Sequence, residues 1–276
     1  MPEWGPSEPN ASMPVERKIS KFVAIGDSQT EGVGDFYPDG SERGWADRFA
    51  DNLARSQPDL LYANLAVRGK KIAEIREKQL AAAIEQKPDL VSLIAGLNDM
   101  IRPGFQLSET IAHMDDMQAA LRNIGARVLS ITYPDPQGLA PIGRFLHEKT
   151  MEFNQELRRV AAKNDVLLLD LESTPITSDP RFWCADRLHL NPEGHRRLAV
   201  GMASLVTQPG EDWLEPLPSR PEPGRLRRTA IDLHWGWAFF MPWVGRRIVG
   251  RSSGDGREAK RPQLLPVSPG YAQAAP

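Results

Sequence analysis

The sequence predicts an α/β protein, a three-layer αβα sandwich around a parallel five-stranded sheet. Two observations predict it. From residue 19 to residue 206, short runs of β-branched residues and leucine alternate with longer amphipathic stretches. The short runs are almost uniformly apolar, as strands covered by helices on both faces must be.

Strands are expected at residues 21–25, 60–65, 90–95, 127–132 and 166–170. Helices are expected at residues 45–54, 72–84, 108–123 and 142–163, with a last one opening at Asn191-Pro192. Ser108 stands where an N-cap is needed, and Pro192 takes a first helical position, where its missing N–H breaks no helical bond. Parallel neighbours need a crossover longer than a hairpin, so the helices serve as the connections. No internal repeat is visible.

Composition narrows the function. The 276 residues, 41% hydrophobic and 25% charged, leave room for one sizeable core plus extensions. A net charge of −2 and a pI near 6.2 give no electrostatic footprint for nucleic acid, which is not expected as a partner. Cys184 is the single cysteine, so neither an intramolecular disulfide nor a thiolate metal cluster can form. The first residues, MPEWGPSEPNASMPVERK, lack the apolar run of a signal peptide. A cytoplasmic protein is expected.

Beyond a polar extension at 1–18 and the α/β domain at 19–206, the chain changes character. A Pro/Arg-rich linker (207–228) leads to an aromatic and basic segment (229–251) and then to a disordered tail (252–276). Asp232, His234 and Pro242 interrupt the aromatic block, leaving it short of the roughly 20 apolar residues of a membrane span. Its Trp235, Trp237, Phe239, Phe240 and Trp243, followed by Arg246, Arg247 and Arg251, are expected to dock on the domain and cover an apolar patch. Peripheral membrane contact is the alternative.

Four polar clusters follow predicted strands. Gly26-Asp27-Ser28 ends the first, Asn64 to Gly69 follows the second, Gly96-Leu97-Asn98-Asp99 the third, and Asp186-Arg187-Leu188-His189 lies between the fifth and the last helix. Clusters at the carboxyl edge of one sheet can converge on one cleft. Taken alone, Gly-Asp-Ser reads equally well as a turn with Ser28 as helix N-cap.

The set of blocks, in this order, resembles the signature of the SGNH (GDSL-type) hydrolases over about residues 19–206. The resemblance implies a flavodoxin-like strand order 2-1-3-4-5 and ester hydrolysis. It assigns the catalytic triad Ser28, His189 and Asp186, and an oxyanion hole from the Ser28 amide, the Gly69 amide and the Asn98 side chain. The chemistry supports those types independently. A serine hydroxyl needs an adjacent base, a neutral imidazole serves near neutral pH, and a carboxylate three residues earlier can fix its tautomer. Glycine permits close approach of a backbone donor, and asparagine offers a donor that does not titrate. The implied substrate is a small-molecule ester, hydrolysed through an acyl-serine without a cofactor. Thioesterase, acyltransferase and carbohydrate deacetylase chemistries would use the same groups, and a non-catalytic ligand-binding protein could retain the cleft.

One position departs from the commonest pattern: Gln29 stands where Leu usually follows Gly-Asp-Ser, which is expected to alter the pocket floor or add a polar contact. Asp27 and Asp99 read as caps of local turns. His113, His147 and His195 read as solvated or half-buried helix residues, and no metal-binding spacing exists. Cys184 reads as buried and inert, and Phe182 and Trp183 as anchors of the catalytic loop, with the lining of an acyl pocket as the alternative. Loops 32–43, 100–107 and 135–141 are expected to line the substrate pocket.

Overall fold

A computed structural model describes residues 18–207, 212–221 and 224–267. Apart from Lys18, the expected N-terminal extension lies outside the described residues, as does the end of the expected tail, residues 268–276. The strands are β1 (Lys21–Gly26), β2 (Leu61–Asn64), β3 (Leu90–Ile94), β4 (Arg127–Ile131), β5 (Leu167–Leu169) and β6 (Arg261–Pro266). The helices of the domain are α1 (Ser28–Glu31), α2 (Gly44–Ser56), α3 (Ile72–Lys78), α4 (Leu80–Glu85), α5 (Leu97–Met100), α6 (Leu107–Asn123), α7 (Gly143–Lys163) and α8 (Pro192–Ser204). After them come α9 (Arg225–Trp235), a π-helical turn (Gly236–Phe240) and α10 (Met241–Ile248).

The sheet runs β5-β4-β3-β1-β2-β6. Its first five strands are parallel and in the expected order. From β1 the chain steps outward to β2, then returns past β1 to β3 and continues to β4 and β5. Right-handed crossovers therefore put α2 on one face and α3, α6 and α7 on the other. The contacts agree: α2 packs on α8, while α6 packs on α3 and α7. Every residue of β3 and all of β1 after Lys21 are buried. Phe22 of β1 stacks on Tyr62, ring centroids 5.1 Å apart, and meets Phe49 of α2 edge-on at 5.0 Å. Burying each such ring contributes about 1.5–3 kcal/mol. The reversal between β1 and β3 is the switch point at which open α/β sheets leave a crevice.

Three elements differ from expectation. The helix expected over 72–84 is broken at Gln79, which turns inward: Oε1 accepts from Gly26 N at 2.8 Å and Nε2 donates to Gly26 O at 2.9 Å. α6 begins at Leu107, so Ser108 is not its N-cap. Asn191 does cap α8, accepting from Gly194 N with Pro192 beside it.

The third difference is the largest. The tail expected to be disordered from 252 supplies β6, antiparallel to β2, so the sheet has six strands, not five. Arg-Pro-Gln-Leu-Leu-Pro has neither alternation nor a continuous apolar run. Its prolines fit an edge strand, where a missing N–H leaves no interior ladder bond unmade and discourages further pairing. Arg261 Nε also donates to Tyr62 O at 2.8 Å. Regular structure begins again at Arg225, inside the expected linker. No helix among the described residues is long and apolar enough to cross a membrane.

Candidate active site

β1 ends at Gly26, and Asp27 caps the short α1 through a bond from Gln29 N, 3.3 Å. Ser28 thus opens a helix at the carboxyl end of a central strand, and its amide has no carbonyl four residues back to bond. Across the cleft, the segment after β5 folds as a narrow loop closed by Cys184 N to His189 O, 2.8 Å, and a Trp183–Leu190 bridge. At its tip Arg187 takes a left-handed φ of 56°. This turn sends Asp186 back on His189.

The two segments meet, although 161 residues separate their reactive groups. His189 Nε2 lies 2.9 Å from Ser28 Oγ, and His189 Nδ1 lies 2.7 Å from Asp186 Oδ2. The other oxygen of Asp186 accepts from the amides of Leu188, 3.0 Å, and His189, 3.1 Å. Burial pushes the Asp186 carboxyl upward, but these bonds and the His189 ring outweigh it and hold the group below the usual range. A carboxylate fixed in its charged form, an imidazole and a hydroxyl in line can pass a proton away from Oγ.

Gly69 and Asn98 border the same cavity as Ser28 and His189. Gly69 has φ 74°, a conformation that favours glycine, and a Cβ there would displace the Ser252 hydroxyl. Its carbonyl accepts from Arg102 Nη2. Gly96 has φ 121° and faces the ring of Phe153, which a side chain would strike. That turn presents Asn98, whose Nδ2 donates to Asp27 Oδ2 at 3.0 Å. Asp27 therefore does more than cap: it orients an amide that has a second N–H to give. Its carboxyl is 1% exposed, and burial raises its pKa to about 6. Asp99 caps a distant helix instead of a local turn, accepting from Ile72 N at the start of α3 at 3.0 Å.

Other braces could not be named from sequence. Gln29 Nε2 donates to Leu188 O at 2.8 Å, and its Oε1 accepts from Leu190 N at 3.4 Å, holding the backbone on both sides of His189. Glu31 binds Arg68 through Nε, 2.9 Å, and Nη2, 2.6 Å, fixing the residue before Gly69. Asn64 joins the two turns, its Nδ2 donating to Thr30 O at 2.8 Å and its Oδ1 accepting from Ala66 N at 3.1 Å. From the C-terminal segment, Trp235 Nε1 donates to Asp186 O at 2.9 Å, and Asp232 pairs with Arg187 at 2.7 Å.

The cavity beside Ser28 and His189 has a volume of about 380 Å³. Each loop expected to line it contributes, through Val33, Ile101 and Leu139. Trp183 borders it and also donates from Nε1 to Thr177 O at 3.1 Å, while Phe182 is buried beneath the Arg197 guanidinium. His195 corrects the sequence reading. It is fully buried, Nδ1 accepting from Trp45 N at 3.0 Å and Nε2 bonding Val33 O at 3.1 Å, and burial lowers its pKa to about 4. The Cys184 thiol is partly buried, which pushes its pKa up to about 11. Among the described residues, no cluster of His, Cys, Asp and Glu is arranged to hold a metal ion.

Residues 24–197 match the GDSL-like lipase/acylhydrolase family. The acetylxylan esterase of Geobacillus stearothermophilus is 26% identical over 219 residues, 70% of this chain and 95% of that protein. Among solved structures, a catalytic mutant of Axe2, an acetylxylan esterase from the same organism, superposes with a TM-score of 0.58 at 18% identity, covering 71% of this chain and 96% of its own. LAE5, an α/β hydrolase enzyme from the metagenome of Lake Arreo, superposes equally well, TM-score 0.58 at 20% identity over 68% of this chain and 94% of its own.

Proposed function

Because the chain belongs to the GDSL-like lipase/acylhydrolase family and is a carboxylic ester hydrolase, we propose that Ser28 is its nucleophile, His189 its general base and Asp186 the group that orients the base. The supporting observation is the unbroken line from Asp186 Oδ2 through His189 to Ser28 Oγ, with separations of 2.7 and 2.9 Å.

In the proposed cycle His189 Nε2 takes the Oγ proton as Oγ bonds the ester carbonyl carbon. The carbonyl oxygen becomes an oxyanion facing the amides of Ser28 and Gly69 and the side-chain N–H of Asn98. Collapse breaks the bond to the alcohol oxygen, which receives the proton from His189, and acyl-Ser28 remains. Water then gives a proton to His189, attacks the acyl carbon, and releases the acid as the proton returns to Oγ. The chain, the ester and water account for every bond and proton.

A fluorophosphonate probe tests the assignment. The intact protein becomes covalently labelled at Ser28, and Ser28→Ala does not, while its circular dichroism is unchanged. Labelling that survives Ser28→Ala moves the nucleophile elsewhere, and absence of labelling in both favours a ligand-binding role for the cleft.

The outward side of the C-terminal segment supports a peripheral partner as a second part of the proposal. Leu226, Leu233 and Trp237 are 90%, 71% and 78% exposed, with Arg225 and Arg227 on the same helical segment, a pairing suited to an anionic lipid surface. Co-sedimentation with anionic vesicles should fall on Trp237→Ala, and pelleting that is the same without vesicles removes this part.

A further inference from the structure

We infer that the C-terminal arm, residues 225–256, is the roof of the substrate site, and that the cavity beneath it takes the hydrocarbon chain of an ester. The inference rests on Ser28 being the nucleophile. The matched family region ends at residue 197, so the arm belongs to this chain's own extension.

The arm is fastened to both sides of the reaction centre. On one side Trp235 and Asp232 hold the Asp186–Arg187 turn. On the other, Ser252 Oγ approaches Gly69 O at 3.5 Å, and Gly254 lies so close to Arg68 O that no side chain would fit between them. The span between these ties lines the cavity that Ser28 and His189 also border, through residues such as Ala238, Phe239 and Trp243. Within it Phe240 is stacked between Trp235, 5.8 Å, and Trp243, 6.1 Å, forming a row of rings that packs as one body.

The rest of the lining includes Leu97, Met100 and Ile101 from α5 and its C-cap, and Leu139, Ile142 and Leu146 from the start of α7 and the loop before it. A volume of about 380 Å³ is within the range of small-molecule sites and far exceeds an acetyl group's single methyl. The lining is mostly apolar, with Arg68, Thr150 and Arg246 among its few polar side chains, so sugar hydroxyls set against the leucines and indole faces would lose water and gain few partners. Methylene groups lose only unfavourable contact with water. Each one admitted should raise kcat/KM about fourfold until the cavity is full.

Two substrate series on the full-length protein test this. One keeps p-nitrophenol and lengthens the acyl group from acetate through hexanoate to octanoate, and the other keeps acetate and lengthens the alcohol. A rise in either series supports the inference and says which side of the ester occupies the cavity. Acetate and ethyl acetate being the best in both, or acetylated xylo-oligosaccharides outrunning both, overturns it. Ala238→Trp supplies a second test, since residue 238 borders the cavity from the arm. It should flatten whichever chain-length series rises in the parent protein, and a series that rises as steeply in the variant means the arm is not the wall. Fluorophosphonate labelling is run on the same samples. Loss of labelling in the intact protein defeats the assignment of Ser28, whereas full labelling with flat chain-length series defeats this inference alone.

Discussion

Asp27→Asn separates the two jobs of a buried carboxylate. Asp27 is 1% exposed, and burial raises its pKa from 3.8 to about 6, against the lowering effect of bonds from Gln29 N and Asn98 Nδ2. A carboxyl whose folded pKa lies above its unfolded value stabilises the fold below the unfolded value and withdraws that stability as pH rises through the folded one. The shift of about two pH units corresponds to about 3 kcal/mol lost between roughly pH 4 and pH 7. Asparagine carries no charge to bury but leaves one acceptor for two donors, Gln29 N and Asn98 Nδ2, so near pH 4 the substitution should cost about 1–3 kcal/mol. Near pH 8 relief of the buried charge should offset that cost, improving the variant by up to about 3 kcal/mol relative to its effect at pH 4. Urea denaturation at several pH values measures the difference, and a stability change that stays flat from pH 4 to 8 refutes the reasoning. Activity should move the other way, because Asn98 loses a charge-assisted partner. A drop in kcat of about tenfold at pH 8, with KM little changed, is expected on losing about 1.4 kcal/mol of transition-state stabilisation.

Three further outcomes follow from the same contacts. Asn98→Ala removes the proposed oxyanion donor and should cost about two to three orders of magnitude in kcat, and a loss confined to KM would place the amide on substrate instead. Gln29→Leu gives up both bonds to the His189 loop and leaves Leu188 O unpaired, with an expected stability loss of about 1–3 kcal/mol and a fall in kcat; equal rates in the two proteins would show the loop stands without it. His195→Leu removes a buried neutral ring whose folded pKa of about 4 lies below its ordinary 6.5. That ring withdraws stability as pH falls from about 6.5 to 4, so the variant should lose less on acidification than the parent, although its midpoint at pH 8 is lower because Trp45 N loses its acceptor. Parallel acid profiles would contradict this.

What could be read from sequence was what depends on order along the chain. Uniform apolar runs such as Phe22-Val23-Ala24-Ile25 declare a covered strand. Polar blocks placed after strands declare the sheet edge where Ser28, Gly69, Asn98 and His189 gather. What could not be read depends on pairing across the fold. Gln79 looks like one more helix residue until its amide is seen closing on Gly26. His195 has the spacing of a surface helix residue, yet it caps the start of α2 from 150 residues away. β6 has the composition of a loop and is a strand only because β2 offers an open edge.

The C-terminal arm is the clearest case of this second kind, and it bears on how the site is held. Arg187 adopts a left-handed conformation that costs a non-glycine residue roughly 1–3 kcal/mol, and this turn aims Asp186 at His189. Loop bonds alone would have to offset that strain. The arm adds a tryptophan N–H on Asp186 O, an ion pair from Asp232 to Arg187, and the Arg187 guanidinium over the Trp235 ring at 5.6 Å. The ion pair is partly exposed and contributes little alone, but each contact requires the turn to be in its strained form. The same indole borders the cavity beside Ser28 and His189. The proposed enclosure of the ester and the proposed alignment of the base thus share one side chain, so any motion that lifts the arm also loosens the turn that carries Asp186.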